Sequence, residues 1–170
     1  MKISEKQFDY AYKEYAKELL YIAYGYTRNK EDSIDIMQNA YVALLESNKK
    51  FESNDHIKYF LIRVTINESI NFVKLYSHKK VINNNDYVIN IPETKKEELP
   101  HDLSEIVNTL PEKYKTIIIL HYYDDMKIKD ISNVLKISES AVKKRLERAR
   151  KLLKDIIERK LKWLKINYLN

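Results

Sequence analysis

The chain has 170 residues, 44% of them hydrophobic, which is typical of one ordinary globular domain or two small ones and excludes a disordered protein. It contains no cysteine, so disulfides, thiolate catalysis and the common structural zinc sites are excluded, and nothing requires an oxidising compartment. The net charge of +6 favours a polyanionic partner if the cations are concentrated in one place. Because no basic and apolar leader opens the chain and no apolar run is long enough to cross a bilayer, we expect a cytoplasmic protein without membrane insertion.

The scarcity of turn residues predicts the fold class. One glycine and three prolines are too few for a protein built on tight hairpin turns, and apolar residues recur at helical spacing over long stretches. We therefore predict an all-α protein. The first helix is expected to break near Gly25, with Asn29 capping the next helix. The apolar face of this first helix is predicted to consist of Phe8, Ala11, Tyr12, Tyr15, Leu19, Ile22, Ala23 and Tyr26.

The second helix is predicted to begin with Glu31 and Asp32, because acids in a first turn suit the positive end of the helix dipole. Asp32, Asp35 and Gln38 recur every three residues and so share one polar face. An acidic face of this kind suits a basic partner helix. The residues predicted to be buried on the other side are Ile34, Met37, Tyr41, Leu44 and Leu45.

A polar stretch that carries Phe51 leads to a third helix, predicted from about His56 to Ser77. Asparagine in the middle of a helix is unfavourable without a reason, which makes Asn67 a candidate functional residue. The polar residues that recur at three- and four-residue steps on one face of this helix are Arg63, Asn67, Asn71 and Lys74.

The sustained apolar pattern then stops and restarts, which predicts two small helical domains. Residues 78–100 offer no continuous apolar face and predict a flexible linker. The domains on either side are residues 1–77 and residues 101–160, with a tail of residues 161–170. The second domain is predicted to open with a helix near residues 102–109 and to continue with a helix whose first turn contains Pro111.

The stretch from Asp130 to Arg150 has the pattern of a helix-turn-helix, with a short helix, a tight turn at residues 136–138 and a longer basic helix capped by Ser138. Ten Lys or Arg and four acids lie between Ser138 and Lys162, so this segment carries an excess equal to the net charge of the whole chain. Lys127 and Lys129 are placed to contact the DNA backbone. The residues expected on the exposed face of the basic helix are Glu139, Ser140, Lys143, Lys144, Glu147 and Arg148.

Three segments of this second domain closely resemble region four of the extracytoplasmic-function sigma factors: residues 110–115 (LPEKYK), residues 130–132 (DIS) and residues 141–150 (AVKKRLERAR). In that family region four recognises the minus-thirty-five promoter element. The resemblance implies that the bases are faced by Lys143, Lys144, Glu147 and Arg148, and that Ser140 and Arg145 lie near phosphates.

The first domain resembles region two of the same family, beginning with residues 29–38 (NKEDSIDIMQ). Family members dock this helix on the clamp helices of the polymerase large subunit, which implies that Asp32, Asp35 and Gln38 bind core RNA polymerase. Residues 60–67 (FLIRVTIN) look like the minus-ten recognition segment. The residues that the resemblance assigns to the minus-ten element are Phe51, Phe60, Arg63, Val64, Asn67, Asn71 and Lys74.

Such a face would stabilise melted DNA, because a base pulled from its stack needs an apolar surface and an amide that reads its edge. Phe51 and Val64 would supply the surface and Asn67 the amide, with Arg63 and Lys74 holding the backbone. Simple core packing is the alternative for Phe51 and Phe60.

The resemblance as a whole implies a sigma factor whose partners are core RNA polymerase, double-stranded promoter DNA, the melted non-template strand and an anti-sigma factor. No catalytic site, cofactor or small-molecule substrate is expected, and no metal site, since His121 with Asp124 and Asp125 is better explained by an ordinary contact between helices. Two rival hypotheses are a stand-alone helix-turn-helix regulator and a helical adaptor that binds only proteins.

Overall fold

The computed structural model of the chain describes the backbone of residues 3–82 and 101–168 and the side chains of residues 3–76 and 105–162. Within these ranges all regular structure is helical, which confirms the predicted fold class. The chain divides into two compact units: the first contains the first three helices together with residues 133–136, and the second contains the other described residues after residue 100. Most of the predicted linker, residues 83–100, lies outside the described residues.

Helix α1 spans Glu5–Thr27 and begins with a capping box, in which the Gln7 amide donates to Ser4 Oγ at 3.3 Å and the Ser4 amide donates to Gln7 Oε1 at 3.2 Å. It ends at Arg28, whose left-handed backbone (φ 54°) lets its amide bond the Tyr24 carbonyl at 2.9 Å. The predicted break at Gly25 is wrong. Gly25 is buried inside α1, where a single glycine costs only about 1 kcal/mol and does not end a well-packed helix.

Helix α2 spans Lys30–Glu46, and the predicted cap is confirmed because Asn29 Oδ1 accepts from the Asp32 amide at 3.1 Å. The predicted buried face is partly wrong. Leu45 is 46% exposed and Ile34 is only half-buried, whereas Met37, Tyr41 and Leu44 are buried as predicted. The reason is that α2 packs against both α1 and α3, so its buried face shifts around the helix and is completed by Ser33, Ile36 and Ala40.

Helix α3 spans Asn54–Ile82 and begins after Ser53, whose Oγ accepts from the His56 amide at 3.2 Å. It ends five residues beyond the predicted limit at Ser77. Each of α1, α2 and α3 packs against the other two, so the first unit is a three-helix bundle. Tyr12 of α1 was predicted to lie in its core but is 51% exposed. The fully buried apolar residues of α3 are Ile57, Leu61 and Ile62.

The second unit begins with α4 (His101–Thr109) and α5 (Glu112–Ile118), which continues into a π-helical segment at Ile119–Tyr123. Helices α6 (Ile128–Leu135) and α7 (Glu139–Tyr168) follow. Helix α7 packs against α4 and α5. The residues of α5, the π-helical segment and α7 with less than 4% of their surface exposed are Ile117, Ile118, Ile119, Leu120, Val142, Leu146 and Ala149.

Two boundaries of the second unit differ from the sequence-based expectation. Pro111 lies immediately before α5 as its N-cap, one position earlier than the first helical turn. Helix α7 continues without interruption through residues 161–168, which were predicted to form a separate tail. The predicted tail is therefore, in the main, the end of the basic helix.

Candidate functional site

The turn between α6 and α7 is fixed by local hydrogen bonds. Lys136 adopts a left-handed backbone conformation (φ 53°), which ends α6, and the Ile137 amide donates to the Ser132 carbonyl at 3.2 Å. Ser132 Oγ donates in return to the Ile137 carbonyl at 2.6 Å. Ser138 Oγ accepts from the Ala141 amide at 3.1 Å, which confirms Ser138 as the cap of α7. The predicted helix-turn-helix is thus present, with its turn at the predicted residues.

The surface of α7 separates apolar from charged residues along its first three turns. Val142, Leu146 and Ala149 are buried, which fixes the rotation of the helix. Arg145 is half-buried at the edge of the exposed face. The predicted minus-thirty-five residues that are exposed together are Ser140, Lys143, Lys144, Glu147 and Arg148. This exposed face combines two lysines and an arginine, which can donate to guanine acceptors or phosphates, with one carboxylate, which can accept from a cytosine amino group.

Most of the polar face predicted on α3 is exposed. Asn67, Asn71 and Lys74 are exposed, while Arg63 and Val64 are half-buried beside them on the same helix. Asn67 and Asn71 lie one turn apart, so their amides stand next to each other on the helix surface. This surface offers both donors and acceptors to a base edge.

Phe51 and Phe60 pack against each other, and both remain half-buried. Their ring centroids are 5.4 Å apart at an interplanar angle of 73°, an edge-to-face contact that joins the stretch before α3 to the helix itself. Lys49 Nζ lies 5.0 Å from the centroid of the Phe60 ring. The sequence-based assignment of the minus-ten residues left out Lys49, although Lys49 lies only two residues before the assigned Phe51. A partly exposed aromatic pair with an adjacent cation suits an unstacked base and its phosphate.

The candidate polymerase-binding face of α2 is acidic. Asp35 and Gln38 are exposed, and Asp32 is half-buried beside them. Burial, together with the neighbouring carboxylates of Asp35 and Glu31, raises the pKa of Asp32 above its ordinary value. Glu31 is itself exposed and adds a negative charge that the sequence-based assignment left out.

The side chains considered for a metal site, those of His121, Asp124 and Asp125, do not form a coordination shell. His121 Nδ1 lies 3.1 Å from the Met126 carbonyl oxygen, and its ring packs edge-to-face on Tyr122 at 4.8 Å. Among the described side chains, no three His, Asp or Glu residues come together as metal ligands. In the described part of the chain, no helix has the length and apolarity needed to cross a bilayer.

Comparison with known proteins agrees with this geometry. The sequence profile of Sigma-70 region 2 matches residues 11–77, and that of Sigma-70 region 4 matches residues 101–153. The predicted site residues of α2, α3 and α7 therefore all lie inside the two matched regions. The chain belongs to the extracytoplasmic-function family of RNA polymerase sigma factors.

Two of the similar curated proteins, both from Bacillus subtilis (strain 168), illustrate the likeness. The RNA polymerase sigma factor SigV is 29% identical over 143 residues, which cover 83% of this chain and 85% of the relative. The ECF RNA polymerase sigma factor SigM is 26% identical, covering 89% of this chain and 95% of the relative.

One solved structure shares the fold. It is the co-crystal structure of the sigma factor RpoE with the anti-sigma factor NepR from Bartonella quintana, matched with a TM-score of 0.68 and 17% identity over 90% of this chain and 98% of that one. This chain is thus a sigma factor, which binds core bacterial RNA polymerase and directs promoter-specific initiation of transcription.

Proposed function

We propose that this sigma factor divides its work among three surfaces: α2 binds the polymerase, α3 holds the melted minus-ten element, and α7 reads the minus-thirty-five element. The observation that carries the proposal is the joint exposure of Lys143, Lys144 and Arg148 on a helix whose opposite side is buried. That arrangement presents the three cations together on one surface that an outside partner can reach. Phosphate and guanine acceptors are the partners that they fit.

The minus-ten role rests on the aromatic pair and the adjacent amides. An extruded base must exchange its stacking neighbours for another flat apolar surface, and the half-buried ring of Phe51 offers one. Asn67 and Asn71 are exposed on α3 and can read the edge of a base. The residues that complete the proposed minus-ten surface are Arg63, Val64, Lys74 and Phe60. Lys49 adds a cation beside the Phe60 ring.

The polymerase-binding role rests on the charge of α2. Asp32, Asp35 and Gln38, with Glu31, present carboxylates and one amide on a single face of the helix. Burial, and after it the repulsion from Asp35 and Glu31, raises the pKa of Asp32, and a cationic helix of the polymerase would relieve that repulsion. The interface should therefore gain from opposite charge and weaken with salt.

The organisation of the chain follows from these roles. The domain limits that we propose are residues 1–77 for polymerase binding and minus-ten recognition, 78–100 for the linker, 101–160 for minus-thirty-five recognition and 161–170 for the end of the chain. Each domain alone would bind DNA weakly. Joint attachment to the polymerase raises the effective concentration of each domain at its promoter element.

We further propose that an anti-sigma factor controls this chain, by analogy with the sigma factor RpoE, which was crystallised with its anti-sigma factor NepR. The protein would act in the cytoplasm, where the polymerase works. It would have no catalytic role of its own, because RNA synthesis belongs to the polymerase.

The test is transcription in vitro with purified core RNA polymerase, this chain and a library of genomic fragments. The expected result is initiation at a limited set of promoters that core polymerase alone does not use. Core enzyme that starts no transcript with this chain would contradict the proposal, as would tight binding of the free chain to a palindromic duplex.

A further inference from the structure

The row of proposed minus-ten residues on α3 begins one turn earlier than the sequence-based assignment placed it. The assigned residues that recur three or four positions apart along this row are Phe60, Arg63, Asn67, Asn71 and Lys74. His56 precedes Phe60 by four residues, so it continues the same row towards the start of the helix. The resemblance to the family did not assign His56 to any role.

The side chain of His56 is exposed at the surface of α3. Its backbone amide donates to Ser53 Oγ at 3.2 Å, which fixes the first turn of the helix. Within the described part of the chain, the imidazole forms no hydrogen bond and no ion pair. The backbone therefore holds the ring at a defined place on the row, while both ring nitrogens stay available to an outside ligand.

The two residues that follow His56 are used inside the first unit. Ile57 is completely buried in its core. Lys58 Nζ lies 2.7 Å from Glu18 Oε1 and 5.8 Å from the centre of the Tyr15 ring, so Lys58 joins α3 to α1. Because residues one and two apart on a helix face different sides, His56 lies away from these contacts and on the side that carries the row.

The Phe60 end of the row already combines two kinds of contact that a single strand needs. Phe51 packs edge-to-face on Phe60 with ring centroids 5.4 Å apart, and both rings are half-buried. Lys49 Nζ lies 5.0 Å from the centre of the Phe60 ring. A half-buried ring suits a stacked base and the cation suits its phosphate. An imidazole one helical turn from Phe60 adds a donor and an acceptor for the edge of a base.

The surroundings of His56 favour a base over a phosphate. The carboxylates of Glu52 and Asp55 are both exposed and lie within four residues of His56 in sequence. Negative charges at this place would repel a phosphate, whereas they do not oppose an uncharged base. Lys49 already supplies the cation beside Phe60.

We propose that His56 is a further specificity-determining residue of the minus-ten site, whose imidazole binds the edge of the unpaired base next to the one stacked on Phe51. The inference rests on the proposed function of α3 and adds a contact that the family resemblance does not supply. A neutral imidazole has one donor and one acceptor, so it discriminates between bases with different edges. Asn67 and Asn71 read bases farther along the row, while His56 selects the base at its start.

The experiment measures binding of the holoenzyme to fluorescent single-stranded DNA that carries the minus-ten element of a promoter used in vitro. A set of such strands has one abasic nucleotide at each position in turn. His56→Ala should weaken binding of the intact strand by roughly fivefold or more, the loss of one base contact. On the strand that lacks the base bound by His56, the same substitution should cause no further loss, whereas the loss should persist at every other abasic position.

Further variants define the chemistry of the contact. His56→Gln keeps a donor and an acceptor and should retain part of the preference for one base at that position, whereas His56→Phe keeps only a ring and should lose the preference. The matched control is Asn54→Ala, at an exposed polar residue of the same turn that does not share the face of His56. It should leave the affinity within about twofold. Circular dichroism should show an unchanged fold, because both side chains are exposed.

Three outcomes overturn the proposal: no effect of His56→Ala on binding of the intact strand, equal losses in His56→Ala and Asn54→Ala, or a loss with His56→Ala that persists at every abasic position. The last outcome would place His56 on a phosphate. Phe51→Ala in the same assay separates this inference from the proposed function. If Phe51→Ala weakens binding and His56→Ala does not, only the inference fails. If the unaltered holoenzyme does not bind the strand, the proposed minus-ten site fails and the inference fails with it.

Discussion

The hydroxyl of Tyr41 donates to the backbone carbonyl of Ala11 at 3.0 Å, a buried hydrogen bond that ties the middle of α2 to α1. The Tyr41 ring also packs edge-to-face on Phe8, with centroids 5.7 Å apart. The ring therefore contributes apolar contact while the hydroxyl satisfies a main-chain acceptor. Together these contacts fix the position of α2, the helix that carries the acidic face.

Removal of this hydroxyl should destabilise the protein. Tyr41→Phe keeps the ring contacts but removes the donor to the Ala11 carbonyl, so we expect a loss of about 1 kcal/mol in the free energy of unfolding. The free energy of unfolding is measured by urea denaturation monitored with far-ultraviolet circular dichroism. Tyr76→Phe, at a ring that is 46% exposed, is the matched control and should change little. Equal effects of the two substitutions would contradict the role given to the hydrogen bond.

Stability should fall in alkaline solution because two tyrosines favour their neutral form in the fold. Burial is the main cause that raises the pKa of Tyr41 and of Tyr15 above the ordinary value of 10.0. Between pH 10 and their folded pKa values, the unfolded chain has already released these protons, so the free energy of unfolding decreases as the pH rises. Urea titrations at a series of pH values above 9 should show this slope, and Tyr41→Phe should reduce it. A slope unchanged by Tyr41→Phe would refute the assignment to Tyr41.

Loss of the Phe51 ring should impair promoter opening more than promoter binding. A base stacked on an aromatic side chain is worth about 1–3 kcal/mol, so Phe51→Ala should reduce open complex formation by roughly 5- to 150-fold. Permanganate reactivity of unpaired thymines in a holoenzyme complex measures the opening. Leu75→Ala, at a residue of α3 that is 64% exposed, should leave it unchanged, and Phe51→Tyr should restore most of it. Normal opening with Phe51→Ala would show that Phe51 only packs on Phe60.

Loss of one base-facing lysine should weaken recognition of the minus-thirty-five element selectively. Lys144→Ala should cost about 1–3 kcal/mol on the cognate element and much less on an unrelated duplex, if Lys144 donates to a base. Competition binding measures the affinity of the holoenzyme for the cognate duplex and for the unrelated duplex, so that the two losses can be compared. Lys162→Ala, at an exposed cation farther along α7, is the control. An equal loss on both duplexes would instead place Lys144 on a phosphate.

Charge reversal on α2 should weaken assembly with the polymerase. Asp35→Lys introduces a repulsive charge opposite a cationic helix, and we expect at least a tenfold loss of affinity for core enzyme, decreasing as salt is added. Fluorescence titration of labelled protein with core enzyme measures the affinity. Glu14→Lys makes the same change at an exposed position of α1 and should have little effect. Equal affinities of the two variants would exclude Asp35 from the interface.

Local signals in the sequence were sufficient to predict the helix-turn-helix and two helix starts. Asn29 and Ser138 cap α2 and α7 as predicted, because a cap depends on a side chain and an amide two or three residues away. The exposed cations of α7 followed from the same kind of short-range pattern, since residues three and four apart share a helix face.

Burial on the helices of the first unit was decided by the tertiary structure. Tyr12 and Leu45 fit the apolar period of their helices but are exposed. For Leu45 the reason is that α2 turns its other side towards α1 and α3. The contact between Phe51 and Phe60, and the nearness of Lys49 to Phe60, could not be predicted because they join an irregular stretch to a helix. The same holds for the hydrogen bond between Arg150 and Tyr122, which lie 28 residues apart in sequence. Sequence periodicity determines which residues share a face of a helix, whereas the number and direction of neighbouring helices determine which face is buried.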